Sequence, residues 1–247
     1  IFGSRGLGDV YKRQVENSDR AFEEEVLFTG FGTAPTKGEG AAVQYKDAQE
    51  GFTSRYTHET IALAFAVTEE AMEDNLYDTF AKLRARGLAR AMANTKQQKA
   101  ADVFNNGFNS AFAGGDGQPF FSDSHPTIGN GVQDNLLGNN DLSEATLETA
   151  LIAVRKTKDD NGILIGANAV SLHIPSDLIF VADQVLNSTL STSTAANGGN
   201  GITNTNDINS IRNQSMLPGG FFVNQRFTDA NGFYIKTDVP NGAKMFV

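Results

Sequence analysis

One stretch, Glu50–Phe108, constrains this chain more than any other part of it. A strand pattern over Phe52–Val67 runs directly into a very long helix pattern over Thr68–Asn105. Phe52 and Tyr56 share one face of the strand with the small Ser54 between them, whereas Ile61, Leu63, Phe65 and Val67 share the opposite face. Such period-two alternation is the mark of a strand, and the change of face midway predicts a twist or bulge. At the helix start, Thr68 is a good N-cap, and Glu69, Glu70 and Glu73 suit the positive end of the dipole. Leu76, Phe80, Leu83 and Gly87 recur at helical spacing, a kink is expected near Asn75–Asp78, and Asn105-Asn106-Gly107 is a stop. An extended arm joined to a long rod is poor material for an active site. It suits a subunit that reaches across its neighbours.

The bulk numbers narrow the function classes. The 247 residues suffice for one large domain or two small ones, and with 18 Phe and no Trp, phenylalanine must fill much of the core. A net charge of −9 disfavours binding that works by neutralising phosphates. With no cysteine there is no disulfide, thiolate chemistry or thiolate-bound metal. No apolar run reaches the roughly 20 residues that span a bilayer, so no membrane partner is expected.

The remaining elements read as an α+β chain. Val15–Phe31 suggests a short helix leading to a strand, and the Gly- and Pro-punctuated stretch Gly30–Gly51 a loop containing a strand at Ala41–Tyr45. A hairpin between Val43–Tyr45 and the long strand would leave its tip unsupported within one subunit. After a Gly/Asn/Asp-rich loop over Gly114–Asn140, Ser143 caps a second helix, with Leu142 stapling onto Leu147 and a stripe of Leu147, Leu151 and Val154 ending at Asp160-Asn161-Gly162. Ala169–Ile174 reads as a strand, Pro175–Asn187 as a third helix and Ser188–Asn209 as a polar loop. Phe221–Phe227 and Gly232–Thr237 read as strands of a hairpin turned at Asp229–Gly232.

Chemistry-bearing clusters are few. Ser122-Asp123-Ser124-His125 holds the ingredients of a hydrolase triad, yet triad members meet in space and seldom share a tetrapeptide, so a turn before Pro126 is the expected role. His58 and His173 have no ligand-type neighbours in sequence, and Asp159–Gly162 lacks the later acids of a calcium loop. No cofactor or metal site is expected. The basic band Lys82, Arg84, Arg86, Arg90, Lys96 and Lys99 reads as a solvated helix face, because acids upstream offset it.

Asp9-Val10-Tyr11-Lys12-Arg13-Gln14 resembles the translation of a transposon end used in sequencing adapters. On that reading residues 1–14 are an artefact of a metagenomic fragment, and the Gly3, Gly6 and Gly8 pattern is not a phosphate loop. The remainder then holds 17 basic and 28 acidic residues, a net charge of −11. The apolar Met245-Phe246-Val247 leads to the expectation of a C-terminus cut within a strand.

Several motifs in order carry a family likeness: Gly51–His58, Thr68–Ala71 with Asp74–Tyr77, Pro119–Pro126, Asp141–Ser143, Asp207–Arg212 and Tyr234–Gly242. From Phe28 onward the chain resembles a tailed-bacteriophage major capsid protein of the Hong-Kong-97 fold, most closely the Mu-like major head subunit of phages and prophages. The resemblance implies an α+β capsid fold. Residues 15–29 would be a remnant N-terminal arm, 30–67 an extended β-hairpin arm, 68–119 a peripheral domain with a spine helix, and 120–247 an axial domain lacking a closing peripheral strand. It further implies self-assembly into an icosahedral shell enclosing DNA, with scaffold, portal and head-completion proteins as partners, production in the bacterial host cytoplasm and residence in the virion. The arm makes Lys37, Val43, Tyr45, Phe52, Arg55 and Tyr56 the candidate inter-subunit contacts. Some proteins with such arms cross-link a Lys to a neighbour's Asn, but nothing singles out Lys37 or Lys46. The rivals are an encapsulin-like compartment shell and a hydrolase using Ser122 or Ser124 with His125.

Overall fold

The computed structural model describes residues 2–3, 15–16, 18–73, 77–129, 131–191, 208–239 and 245–246. The adapter-like run, the expected kink at Asn75–Asp78 apart from its last two residues, the stripe position Leu76 and most of the polar loop 188–209 lie outside them.

Two short strands, β1 (Phe2–Gly3) and β2 (Val15–Glu16), precede β3 (Phe22–Phe28) and β4 (Glu50–Thr57). The long sequence strand therefore ends at Thr57, and residues 58–68 carry no regular secondary structure. The antiparallel partner of β4 is β3, from Phe22↔Thr57 to Phe28↔Glu50, and not Val43–Tyr45, which has no regular structure. Phe22, Glu24, Val26 and Phe28 alternate with Glu23, Glu25 and Leu27. The three consecutive glutamates disguise this as a helix start, but cross-strand pairing overrides that preference. Arg55 sits opposite Glu24, 2.6 Å from its carboxylate, with its guanidinium 4.3 Å from the centre of the Phe22 ring.

Helices α1 (Glu69–Glu73) and α2 (Tyr77–Asn105) follow. At about 1.5 Å per residue, the 29-residue α2 is roughly 43 Å long. Its described apolar stripe is not core: Leu83 is 65% exposed. Among its described side chains, burial is confined to the C-terminal end, at Ala101 and Phe104.

A small hairpin, β5 (His125–Thr127) and β6 (Gly131–Gln133), stands within the loop 114–140. Next come α3 (Glu144–Lys156), β7 (Ala169–Ile174), α4 (Ile179–Asn187), α5 (Ser210–Asn213), β8 (Phe221–Val223), β9 (Tyr234–Thr237) and β10 (Met245–Phe246). Ser143 caps α3 as expected: its hydroxyl accepts from the Thr146 backbone N–H, and the Thr146 hydroxyl accepts from that of Ser143. The helix ends at Lys156 rather than Gly162, because Asp159 accepts from the backbone of Asn161 and Ile163 and builds a separate turn.

The main sheet has the order β1-β9-β7-β8. The expected Asp229–Gly232 hairpin is absent: β8 runs parallel to β7 on one side, and β9 antiparallel on the other. The sheet therefore separates two cores. On one face Leu172, Ile174 and Ile235 pack against Leu147 and Val154 of α3 and Val185 of α4. On the other Tyr234 joins Phe104, Phe121, Phe227 and Ala101. Period-two alternation in β9 sends Tyr234 and Ile235 to different cores and so ties the rod to the sheet. Val15–Glu16 of β2 pairs with β10 in parallel.

His173 lies on the Tyr234 side of β7, 1% exposed, with Nε2 3.2 Å from the Ser171 hydroxyl and its ring stacked on Phe222. Burial, aided by the nearby Lys236 charge, lowers its pKa to about 4. The unfolded chain, with His near 6.5, binds the extra proton between these values, so stability is full above pH 6.5 and falls as pH drops toward 4. We expect thermal unfolding to show an acid-side loss on the order of 3 kcal/mol, reduced in His173→Gln. An acid profile unchanged in that variant would assign the loss to other groups.

Candidate inter-subunit arm

The β3–β4 ladder ends at a clamp. Thr29 donates its backbone N–H and its hydroxyl to the Gln49 carbonyl, and Gln49 N–H donates back to the Thr29 hydroxyl. Beyond the clamp the chain makes an excursion and returns. Every residue from 33 to 50 is exposed. The excursion's one backbone hydrogen bond between described residues runs from Ala41 N–H to the Gly38 carbonyl. Val43 is 65% exposed and Tyr45 96%. A largely unpaired loop that leaves Val43 and Tyr45 bare is unusual, since loops normally bury or solvate such groups.

The base of the arm is fixed to the body. Asn161 donates its side-chain N–H to the Gly30 carbonyl at 2.8 Å, and a cavity of about 420 Å³ beneath is lined by Thr29, Lys46, Gln49 and Ile128. Gly115 lies against β4, where a Cβ would stand 2.6 Å from the Thr53 carbonyl oxygen. Gly115→Ala is therefore expected to push β4 off the body and cost about 1–3 kcal/mol, measurable by thermal unfolding. A neutral result would mean that the arm base is not seated there.

Past the ladder, residues 58–68 return along α2. Glu59 pairs with Lys99 at 2.9 Å, and the Arg84 guanidinium donates to the Ala66 carbonyl at 3.2 Å. Seven extended residues cover roughly 23 Å, which matches the roughly 22 Å of helix between Arg84 and Lys99. The basic band is thus not wholly a solvated face, since two of its members hold the returning chain. Ile61, Leu63 and Phe65 remain 36%, 56% and 42% exposed.

The six candidate contacts fall into two groups. Lys37, Val43 and Tyr45 stand on the free excursion, while Phe52, Arg55 and Tyr56 lie on the ladder, with Phe52 half-buried and Arg55 engaged by Glu24 and Phe22. Sequence reasoning missed the exposed apolar groups on and just past β3, among them Phe28 and Phe31 at 65% each. The even spacing of Phe22, Val26 and Phe28 was the available signal.

The hydrolase constellation does not form. His125 Nδ1 is 2.6 Å from Asp116, not Asp123, and its Nε2 is buried without a hydrogen-bond partner among the described residues. Ser122 instead meets the Ser124 hydroxyl at 3.2 Å and Gln118. A serine nucleophile would need the free imidazole nitrogen to take its proton. His58 bonds the hydroxyl of Ser18, which itself donates to Glu23, and so staples the far end of the ladder.

Residues 49–247 match the family model described as phage capsid protein. The fold is similar to that of a chain in the capsid of bacteriophage JBD30 decorated with minor capsid protein trimers, at 13% identity and a TM-score of 0.65, covering 92% of each chain. A second structure, the bacteriophage JBD30 capsid, matches at 12% identity and a TM-score of 0.62, covering 88% of this chain and 90% of the other. No functionally curated protein matches.

Proposed function

The chain belongs to the phage capsid protein family, and from that membership we propose that its copies form a head shell by laying the free excursion of each over the body of the next. It is a structural major capsid subunit of the virion rather than an enzyme. The observation that carries the proposed mode of association is the unbroken exposure of residues 33–50, with Val43 and Tyr45 bare beyond a hydrogen-bonded clamp.

The energetic case is direct. Fully burying one large apolar side chain contributes about 1.5–3 kcal/mol. Val43, Tyr45, Phe28 and Phe31 are all largely exposed in the single chain. Symmetric copies covering these groups repeatedly is the simplest way to remove them from water. Lys37, Val43 and Tyr45 would make the first contacts, with Phe52, Arg55 and Tyr56 along the ladder beside them.

The finer assignment follows from the order of elements. Arm, spine helix and sheet with packed helices support a Hong-Kong-97-type, Mu-like head subunit. In it, 15–29 belong to an N-terminal arm, 30–67 to the extended arm, 68–119 to the peripheral domain and 120–247 to the axial domain. Scaffold, portal and head-completion proteins would be its partners, DNA its non-specifically enclosed content, and the bacterial cytoplasm its place of synthesis. The net charge of −9 would limit adhesion of DNA to the shell. Family membership favours this over an encapsulin-like compartment.

Electron microscopy of the concentrated full chain tests the reading. Closed shells or ring-shaped capsomers are expected, and a monomer that persists at every concentration would overturn it.

A further inference from the structure

A second cavity, of about 370 Å³, opens between the loop 135–141 and the turn 229–233 at the end of β9. Its floor is aromatic: Phe108, Phe121 and Tyr234 are stacked, with Tyr234 5.1 Å from Phe121 and 6.4 Å from Phe108 between ring centres. Its mouth is polar, with the carboxylates of Asp141 and Asp229 among side-chain amides, and no Lys or Arg lines it. The negative character reaches the floor: burial, with a further contribution from Asp229, raises the Tyr234 hydroxyl to about 12. Apolar depth under an acceptor-rich rim is the environment that suits a tyrosine, whose ring is greasy and whose O–H donates.

The chain itself carries such a tyrosine in the open. Tyr45, 96% exposed, is the barest large hydrophobic side chain among the described residues. In an extended segment neighbouring side chains point opposite ways. Consistent with that, Lys46 lines the cavity at the arm base, its ammonium 3.8 Å from where a Cβ on Gly32 would stand, leaving Tyr45 to project outward.

We propose that this cavity, floored by Phe108, Phe121 and Tyr234, is the socket for Tyr45 of a second copy of this chain. The ring stacks on the aromatic floor and the phenol donates to Asp141 or Asp229. This inference rests on the arm reading above and adds the surface on which the arm lands. An aromatic anchor in a desolvated pocket is the usual form of an interface hot spot, so Tyr45→Ala is expected to raise the concentration needed for assembly by roughly tenfold or more. Tyr45→Phe, which keeps the ring, should lose less.

Because the chain has no cysteine, disulfide trapping gives a clean test. Full-length Tyr45→Cys and full-length Asn139→Cys are mixed under assembly conditions and oxidised. The expected product is a disulfide-linked pair containing one chain of each kind, lost when Phe180→Cys replaces Tyr45→Cys. The double variant Tyr45→Cys/Asn139→Cys should then give linked multimers. Shells that form with no Tyr45–Asn139 link, or a link confined within one chain, would overturn the socket yet leave the shell reading standing. Failure of the unsubstituted chain to assemble under the same conditions would overturn both. Equal linking from Phe180→Cys would assign the socket to a different occupant.

Discussion

Chains lacking residues 33–46 are expected to stay folded and to form no shells. The deletion keeps the clamp between Thr29 and Gln49 and joins Gly32 to Asp47, a connection of ordinary length for a hairpin. None of the removed residues belongs to either buried cluster. Thermal unfolding should therefore shift by no more than about 1 kcal/mol, the range usual for surface changes. Assembly is another matter, because the removed stretch carries Val43 and Tyr45 and all the reach beyond the clamp. Electron microscopy and sedimentation should report monomers at concentrations where the full chain makes shells. Intact shells from the shortened chain would refute the role given to the arm. Loss of cooperative unfolding would show instead that the excursion supports its own subunit.

Phe104→Ala should produce the largest loss of stability. Phe104 is 3% exposed, and its ring lies 5.4 Å from Tyr234, 5.7 Å from Phe227 and 6.4 Å from Phe121, centre to centre. It is the point at which the rod is fastened to the sheet. Truncating a buried Phe removes its transfer energy and leaves a cavity, together costing about 3–5 kcal/mol. Against a total stability of roughly 5–15 kcal/mol, that is a large fraction. The matched control is Leu83→Ala on the same helix. Leu83 is 65% exposed, so it should cost no more than roughly 0.5 kcal/mol in an isolated chain. Denaturant unfolding separates the two. Equal losses would mean that the rod is buried along its length rather than at one end.

The elements that were legible in the sequence are those built from neighbours. Ser143 and Thr146 form their cap within four residues, and the Leu147, Leu151 and Val154 stripe of α3 repeats within two turns. The β7 segment and the Pro175–Asn187 helix reading fall where local pattern puts them, the latter with a short 3₁₀ turn at Ser176–Leu178 before α4. The largest errors are of partnership. Val43–Tyr45 looked like a strand that could pair with β4, but Phe22–Phe28 took that place across a separation no local pattern encodes. Asp229–Gly232 has good hairpin turn chemistry, yet β7 lies between the strands on either side of it. Asp123 adjoins His125 in sequence, but Asp116 reaches the imidazole. For the excursion, its glycine and proline punctuation was legible, whereas the aromatic cavity was not, because Phe108, Phe121 and Tyr234 are scattered along the chain.

By itself the sequence determined composition and local pattern: no cysteine, a net negative charge, and a glycine-punctuated segment continuing into a long helix. Those are properties of composition and of contacts within a few residues. Only the tertiary structure decided which strand backs the arm, that the excursion leaves Val43 and Tyr45 bare, and that burial among the described side chains of the rod is confined to its C-terminal end. Such outcomes depend on contacts between distant residues, whose energies compete globally against the entropy of closing the loops between them.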